Sequence, residues 1–266
     1  MSLPIQQSGS AEAPALHLLR TRPDPRHLAA WAAHHGLLPR SQGDLGYALH
    51  GLLAAVFGED APQPFAYDAE QQALLAYTSL SPEALALHVA LAEGPAAQAL
   101  GLCATAGDAG YQLRAFPGNW PEGQVLRFEV RVRPIVREGK TGRERDAFLA
   151  AADLTPEAEL DRQSVYAQWL KDQLGPRESG PREPWQGAME LLEVELLRFQ
   201  LLEVLRQTTR TSADEGRKRR AVGGPDAVLQ GRLRVIDSRA FAHLLARGVG
   251  RHRAFGFGML LLRPAR

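Results

Sequence analysis

Apolar and polar positions along the chain fall into segments with recognisable periods. Residues 15–22, ALHLLRTR, read as a short strand that Pro23 and Pro25 end. Asp24 then suits a helix N-cap, and RHLAAWAAHH keeps helical spacing up to Gly36. A second helix is expected over 44–57, where Leu45, Leu49, Leu52, Leu53 and Val56 recur at helical intervals. Residues 65–69 and 73–78 read as two strands joined by a polar turn. Ser81-Pro82-Glu83 opens a helix to about residue 92, with proline at its first position. The clearest strand is 124–134, QVLRFEVRVRP, in which Val125, Phe128, Val130 and Val132 are set against Arg127, Glu129, Arg131 and Arg133.

A glycine- and arginine-rich loop is expected over 137–148. A helix starting at Thr155-Pro156-Glu157 and running to about Leu174 follows, and then a loop over 175–187. Residues 188–206 are rich in Leu and Glu. Composition favours a helix there, but LEVELLRFQLLEV also tolerates a strand. Residues 208–220 end in RKRR and read as a basic loop. A strand is expected over 227–236, a helix over 239–247 capped by Asp237-Ser238, and a glycine-rich loop running into a last strand. The order is strand, helix, strands, then strand, helix, strands, helix, strand. It predicts an α+β fold of two tandem ferredoxin-like (RRM-like) domains with a C-terminal glycine-rich loop. The expected division is a flexible tail at 1–14, one domain at 15–135 and a second at 136–266.

Composition narrows the function classes. The chain has 266 residues, 45% hydrophobic and 23% charged, which excludes a largely disordered protein. Its single cysteine, Cys103, excludes a disulfide framework, a thiolate zinc site and a CxxC redox centre within one chain. No apolar run reaches membrane-spanning length, and MSLPIQQSGSAEAP does not read as a signal peptide, so a soluble, cytoplasmic protein without a membrane partner is expected. The net charge of +1 hides an asymmetry. Residues 1–125 carry 5 basic against 11 acidic side chains, whereas residues 206–266 carry 14 against 4. That bias suits a polyanionic partner. Of the 31 basic residues 28 are Arg, which suits RNA, although a GC-rich genome also substitutes Arg for Lys.

The C-terminal stretch RVIDSRAFAHLLARGVGRHRAFGFGMLLL carries the candidate chemistry. Gly248 and Gly250 precede Arg251-His252-Arg253, and Gly256 and Gly258 follow. Glycines let one backbone approach another, and interleaved arginines supply phosphate forks. A dinucleotide-binding reading fails because no helix follows the glycines, and no GxxxxGK[ST] is present.

This order of helix, G-h-G, basic residue, hydrophobe-G-h-G and closing strand resembles the CRISPR-associated repeat-processing endoribonucleases, in particular their CasE (Cse-type) subgroup of the RAMP superfamily. LRFEVRVRPIV resembles the family strand "LRFRLRxNP", VYAQWLKDQL its "AWLxxxL" helix, and VLQGRLRVIDSRAF its "FEGxLxVxDxxxL" strand and helix. Tyr47-Ala-Leu-His50, with Leu53 and Phe57, resembles its "Y-x-h-H" helix. The blocks stand in family order over 15–266. The extra helix at 24–36 and the long Leu-rich segment at 188–206 mark a divergent member; that segment, if helical, would project as a finger into RNA.

The resemblance implies a protein of antiviral defence that binds the hairpin of a CRISPR repeat and cuts at its base. It implies 2′-hydroxyl attack without metal or other cofactor, and retention of the crRNA product in an effector complex with other subunits. It makes His50 the general acid/base, Tyr47 its neighbour at the scissile phosphate, and Arg253 and His252 further catalytic candidates. The expected RNA-binding set is Arg131, Arg133, Lys140, Arg143, Arg145, Arg217, Lys218, Arg219, Arg220, Arg247, Arg251 and the glycines 248, 250, 256 and 258. A solvated charge run is the plain alternative for 217–220. His34 and His35 suit a helix C-terminus, and His17, His27, His88 and His243 a structural role. Trp120, Trp169 and Trp185 suit core or rim. Two other functions stay open: a non-catalytic crRNA-hairpin-binding subunit of a CRISPR ribonucleoprotein, and an unrelated metabolic α+β enzyme.

Overall fold

Short polar side chains set most of the helix starts. The computed structural model describes residues 15–38, 44–103, 110–139, 142–157, 159–175, 183–207 and 219–265, with backbone alone for 203–207 and 219–222. In the first half, β1 (His17–Thr21) leads to α1 (Pro25–His34). There Asp24 Oδ1 accepts from the Arg26 and His27 amides at 2.9 Å, and Pro25 opens the first turn. Next come α2 (Gly46–Phe57), β2 (Phe65–Asp68), β3 (Ala73–Thr78) and α3 (Pro82–Leu91), the last capped by Ser81 Oγ on the Ala84 amide. Sequence periodicity missed the next two elements, α4 (Gly94–Leu100) and β4 (Tyr111–Ala115). The first is two turns long, and the second is a largely exposed edge strand with no alternation to read.

The second half opens with β5 (Val125–Val132), whose inward residues are Leu126, Phe128, Val130 and Val132. Leu126, not Val125, keeps the period of two. The expected loop at 137–148 is a small hairpin, β6 (Ile135–Arg137) and β7 (Glu144–Asp146), closed by Glu138 N–H on Arg143 O at 3.0 Å. Strands of three residues are too short to show alternation. An unexpected helix, α5 (Ala147–Leu154), ends just before Thr155, and the helix expected from Thr155 begins only at α6 (Arg162–Leu174). Asp146 and Asp161 are the caps, and Thr155 ends α5 with its hydroxyl on Ala151 O.

The segment for which helix was favoured is a strand, β8 (Met189–Gln207). It pairs along its length with β9 (Arg219–Val235). Register shifts at Leu191/Glu193 and Leu196/Arg198 each reset which residues face inward, so no single period survives in the sequence. Strand β9 starts well before residue 227, because Gly223-Gly224-Pro225 lies within the ladder. The chain closes with α7 (Ser238–Arg247), capped by Asp237, and β10 (Leu260–Pro264).

Two four-stranded antiparallel sheets result, ordered β2-β3-β1-β4 and β10-β5-β9-β8. Each follows the β-α-β-β-α-β order of a ferredoxin-like unit. Because β5 pairs in the second sheet, the sheets part between Ala115 and Val125, ahead of the 135/136 division that placed this strand in the first domain. Trp169, Phe241 and Leu244 pack on β5 and β9, while Leu28, Leu49, Leu52 and Leu100 pack on β1 and β3. The units interlock: Tyr77 Oη donates to Leu260 O at 2.8 Å, and the core of the second unit takes in Leu16 and Tyr77. Trp120, Trp169 and Trp185 are buried, as expected of core residues. Among the described residues no helix is long and apolar enough to cross a membrane.

Candidate functional site

Helix α2 and the glycine-rich loop meet. The loop runs from Gly248 to Gly258 and is pinned at both ends by backbone bonds: Val249 N–H to Gly258 O at 2.8 Å and Gly258 N–H to Arg131 O at 2.7 Å. Gly258 has φ +80°, and a Cβ there would collide with the Val249 carbonyl, so only glycine fits. Within the loop His252 takes the left-handed conformation at φ 61° and starts a 3-10 turn, Arg253–Phe255.

That turn delivers Phe255 to α2. Its ring stacks on Tyr47, with centroids 5.5 Å apart and planes at 29°, and stands edge-on to His50 at 5.1 Å. Tyr47 and His50, three residues apart on one face, have ring centroids 6.5 Å from each other. The Phe255 carbonyl lies against the first turn of α2, where a Cβ on Gly46 would overlap it. Tyr47 is buried and His50 half-buried. Burial holds the His50 imidazole below its ordinary value of 6.5, so it is mostly neutral at pH 7.

Beside the loop lies a cleft of about 910 Å³. Arg137, Arg247, Arg251, His252 and Arg253 line it, with Glu144 as its carboxylate. His252 Nε2 lies 3.0 Å from Glu144 Oε2, and Arg251 Nε lies 3.2 Å from Oε1 of the same group. Arg253 gives NH1 to Arg247 O at 2.7 Å, and Arg247 lies over the Trp185 ring at 4.2 Å. Neither Tyr47 nor His50 lines this cleft; Phe255, which does, touches both. Arg137, Glu144 and Phe255 escaped sequence reasoning. Glu144 had a faint signal, as a lone acid between Arg143 and Arg145.

Other expected residues lie elsewhere. Arg131 and Arg133 do not face a groove. Arg133 is 2% exposed, and Arg131 forks onto Asp226 through Nε and NH2 at 2.9 and 3.0 Å while NH1 reaches Asp44 at 3.2 Å. Strand alternation puts both on one face, but that face is covered by Phe257 and by the start of α2. Burial pushes the Asp44 carboxyl up despite Arg131. Burial also acts on Asp226, but the Arg131 fork outweighs it and holds that carboxyl below the ordinary range. Arg145 pairs with Asp153, and Arg143 lines a second cleft with Leu149 and Leu201. Arg219 and Arg220 lie on β9, whereas Lys140, Arg217 and Lys218 lie outside the described residues, as do the expected tail at 1–14 and the tip of the basic loop. His35 stacks on Trp31 and bonds its carbonyl at 2.8 Å, a local helix-end role.

Tandem ferredoxin-like units, with a glycine-rich loop clamped onto a Tyr–His helix beside an arginine-lined cleft, define the class. The chain belongs to the family described as CRISPR associated protein, whose model matches residues 16–264. Solved structures share the fold. CRISPR endoribonuclease Cse3 bound to 19 nt RNA has a TM-score of 0.58 at 21% identity, with 95% of this chain and 100% of that chain covered. Thermus thermophilus Cse3 bound to an RNA representing a pre-cleavage complex has a TM-score of 0.54 at 19% identity, covering 94% and 100%. A chain of a CRISPR RNA-guided surveillance complex, pre-nicking, has a TM-score of 0.50 at 17% identity, covering 94% and 100%. No curated protein sequence matches this chain.

Proposed function

We propose that this chain is an endoribonuclease that cuts the repeat hairpin of precursor CRISPR RNA and keeps the product as a subunit of an effector complex. One observation carries the reading: a half-buried, mostly neutral His50 meets, through Phe255, a cleft lined by Arg137, Arg247, Arg251 and Arg253. The ribose 2′-oxygen attacks the adjacent phosphorus while His50 accepts the hydroxyl proton. The bond from phosphorus to the 5′-oxygen breaks, and that oxygen leaves with a proton from water. The products are a 2′,3′-cyclic phosphate and a 5′-hydroxyl. The arginines and Arg253 in particular neutralise the phosphorane oxygens, and Tyr47 orients His50 from the same helix face. No cofactor enters this scheme. Arg143, Arg145, Lys140 and residues 217–220 grip the stem, which is recognised through shape and phosphates.

The test is an end-labelled repeat hairpin from the source genome, incubated with the protein in EDTA, with and without a 2′-deoxy at the cut. Cutting that the deoxy substitution abolishes is expected; cutting that survives it overturns the mechanism. A second reading, a non-catalytic hairpin-holding subunit, is favoured by one observation: His50 does not itself line the arginine cleft. Tight binding with no cutting would select it.

A further inference from the structure

Arg131 touches both halves of the site without lying in either. Its backbone carbonyl accepts from Gly258 at the end of the glycine-rich loop, and its guanidinium lies 4.4 Å from the centre of the Phe257 ring, which is fully buried in that loop. Two nitrogens are locked by Asp226, which is 1% exposed and is held in turn by Gln200 Nε2 at 2.7 Å. The third, NH1, reaches Asp44, two residues before α2 begins. A guanidinium fixed by a bidentate fork has one direction left for its remaining nitrogen. It therefore defines a point in space, and the start of α2 is tied to that point. Tyr47 is the second residue of that helix, three after Asp44, and three further is His50.

We infer that Arg131 is a positioning residue, and that its contact with Asp44 sets the register of the Tyr47–His50 helix against Phe255. This rests on the assignment of His50 as the proton-transfer group. The contact is directional and part-buried, with the two side chains 20% and 12% exposed, so its loss lets α2 slide against the loop while each unit keeps its own core. Errors of about 1 Å in such positioning can cost up to about 100-fold in rate.

The experiment compares wild type with Asp44→Asn, which keeps the shape and removes the charge. Arg131→Lys is the second arm, keeping the charge and removing the fork. Three quantities are read: the single-turnover cutting rate at saturating hairpin, hairpin affinity, and the His50–Phe255 ring proton NOE in the RNA-free protein. The expected result is a rate down about tenfold or more, affinity within about twofold and a weakened NOE, with melting that stays cooperative. Wild-type rate with an intact NOE overturns the inference, as does a slow rate with an intact NOE. If wild type does not cut, the proposed function fails, and the NOE in the two variants still decides whether Arg131 positions the helix. If Asp44→Asn does not fold, Arg131→Lys decides by the same readings.

Discussion

Gly46→Ala separates two forces of opposite sign. Gly46 is the first residue of α2, and in isolation alanine is the better helix former, by up to about 1 kcal/mol. In this fold the added Cβ falls inside 3.0 Å of the Phe255 carbonyl and close to Asp44 Oδ2. Ordinary contact begins near 3.4 Å, so helix and loop must part by more than 0.4 Å. The partner is backbone, pinned by the Phe255 N–H to His252 O bond at 2.8 Å, and it cannot swing aside. Overpacking of this kind costs about 1–3 kcal/mol, which exceeds the propensity gain. Gly94→Ala is the matched control: it too is the first residue of a helix, and its Cβ meets nothing within 4 Å. Urea unfolding and thermal melting of both variants are compared. Gly46→Ala is expected to melt lower by roughly 2–4 °C per kcal/mol lost, and Gly94→Ala at or above wild type. Cutting falls about tenfold in the first only, because the shift moves His50 off Phe255. A Gly46→Ala protein as stable as Gly94→Ala, with cutting intact, would refute the close approach of loop and helix.

His50→Gln is expected to lower the single-turnover rate about 10²–10⁴-fold with hairpin affinity within a few fold, checked by quench and filter binding. The sign of the His50 shift also fixes a pH profile. Burial lowers its folded value, so the base form persists below pH 6.5 and the acid limb of the rate has its midpoint under 6.5; a midpoint above 6.5 contradicts the role. Arg251→Gln is expected to reduce the slope of log affinity against log salt by about 1 if Arg251 exchanges Glu144 for phosphate on binding, and an unchanged slope removes it from the interface. Gly231→Ala puts a Cβ against the Glu193 carbonyl, across the strand from the Leu191/Glu193 bulge, and should cost about 1–3 kcal/mol in urea unfolding without touching RNA affinity.

Legibility in the sequence followed the physics of each element. Strand β5 and helices α1 and α7 could be read because one face is buried, and a cap or proline marks the starts of α1, α3 and α7. Strand β8 defeated periodicity because its bulges shift the inward phase twice, and its Leu and Glu content mimics a helix. Tyr47, His50 and the glycine-rich loop were legible as motifs, but their meeting point was not: Phe255 acquires its role only when residues some 200 positions apart in the chain are brought together. Arg131 was misplaced for a related reason. Alternation tells which residues share a face, and only the tertiary fold tells whether that face meets water or Asp44 and Asp226.

The same point governs how the basic bias is used. Counting charge treats every arginine as available to RNA, yet the fold consumes several. Arg131 and Arg133 are internal. On the exposed sheet face of the second unit Arg232 pairs with Glu193 at 3.0 Å and Arg234 with Glu190 at 2.8 Å, while Gln230 faces Glu195. Pairs this exposed contribute little stability, about 0–1 kcal/mol each. Their larger effect is on the field, since an arginine beside a carboxylate presents little net charge to an approaching polyanion. In RRM-like units the open sheet is the usual surface for single-stranded RNA, read by aromatic stacking. Here that surface is an alternating ladder of charges, whereas the cleft beside the loop holds four arginines and a histidine against one glutamate. Electrostatics therefore directs a polyanion away from the sheet and onto the loop, beside Phe255, whose ring also meets His50 on the helix it packs against.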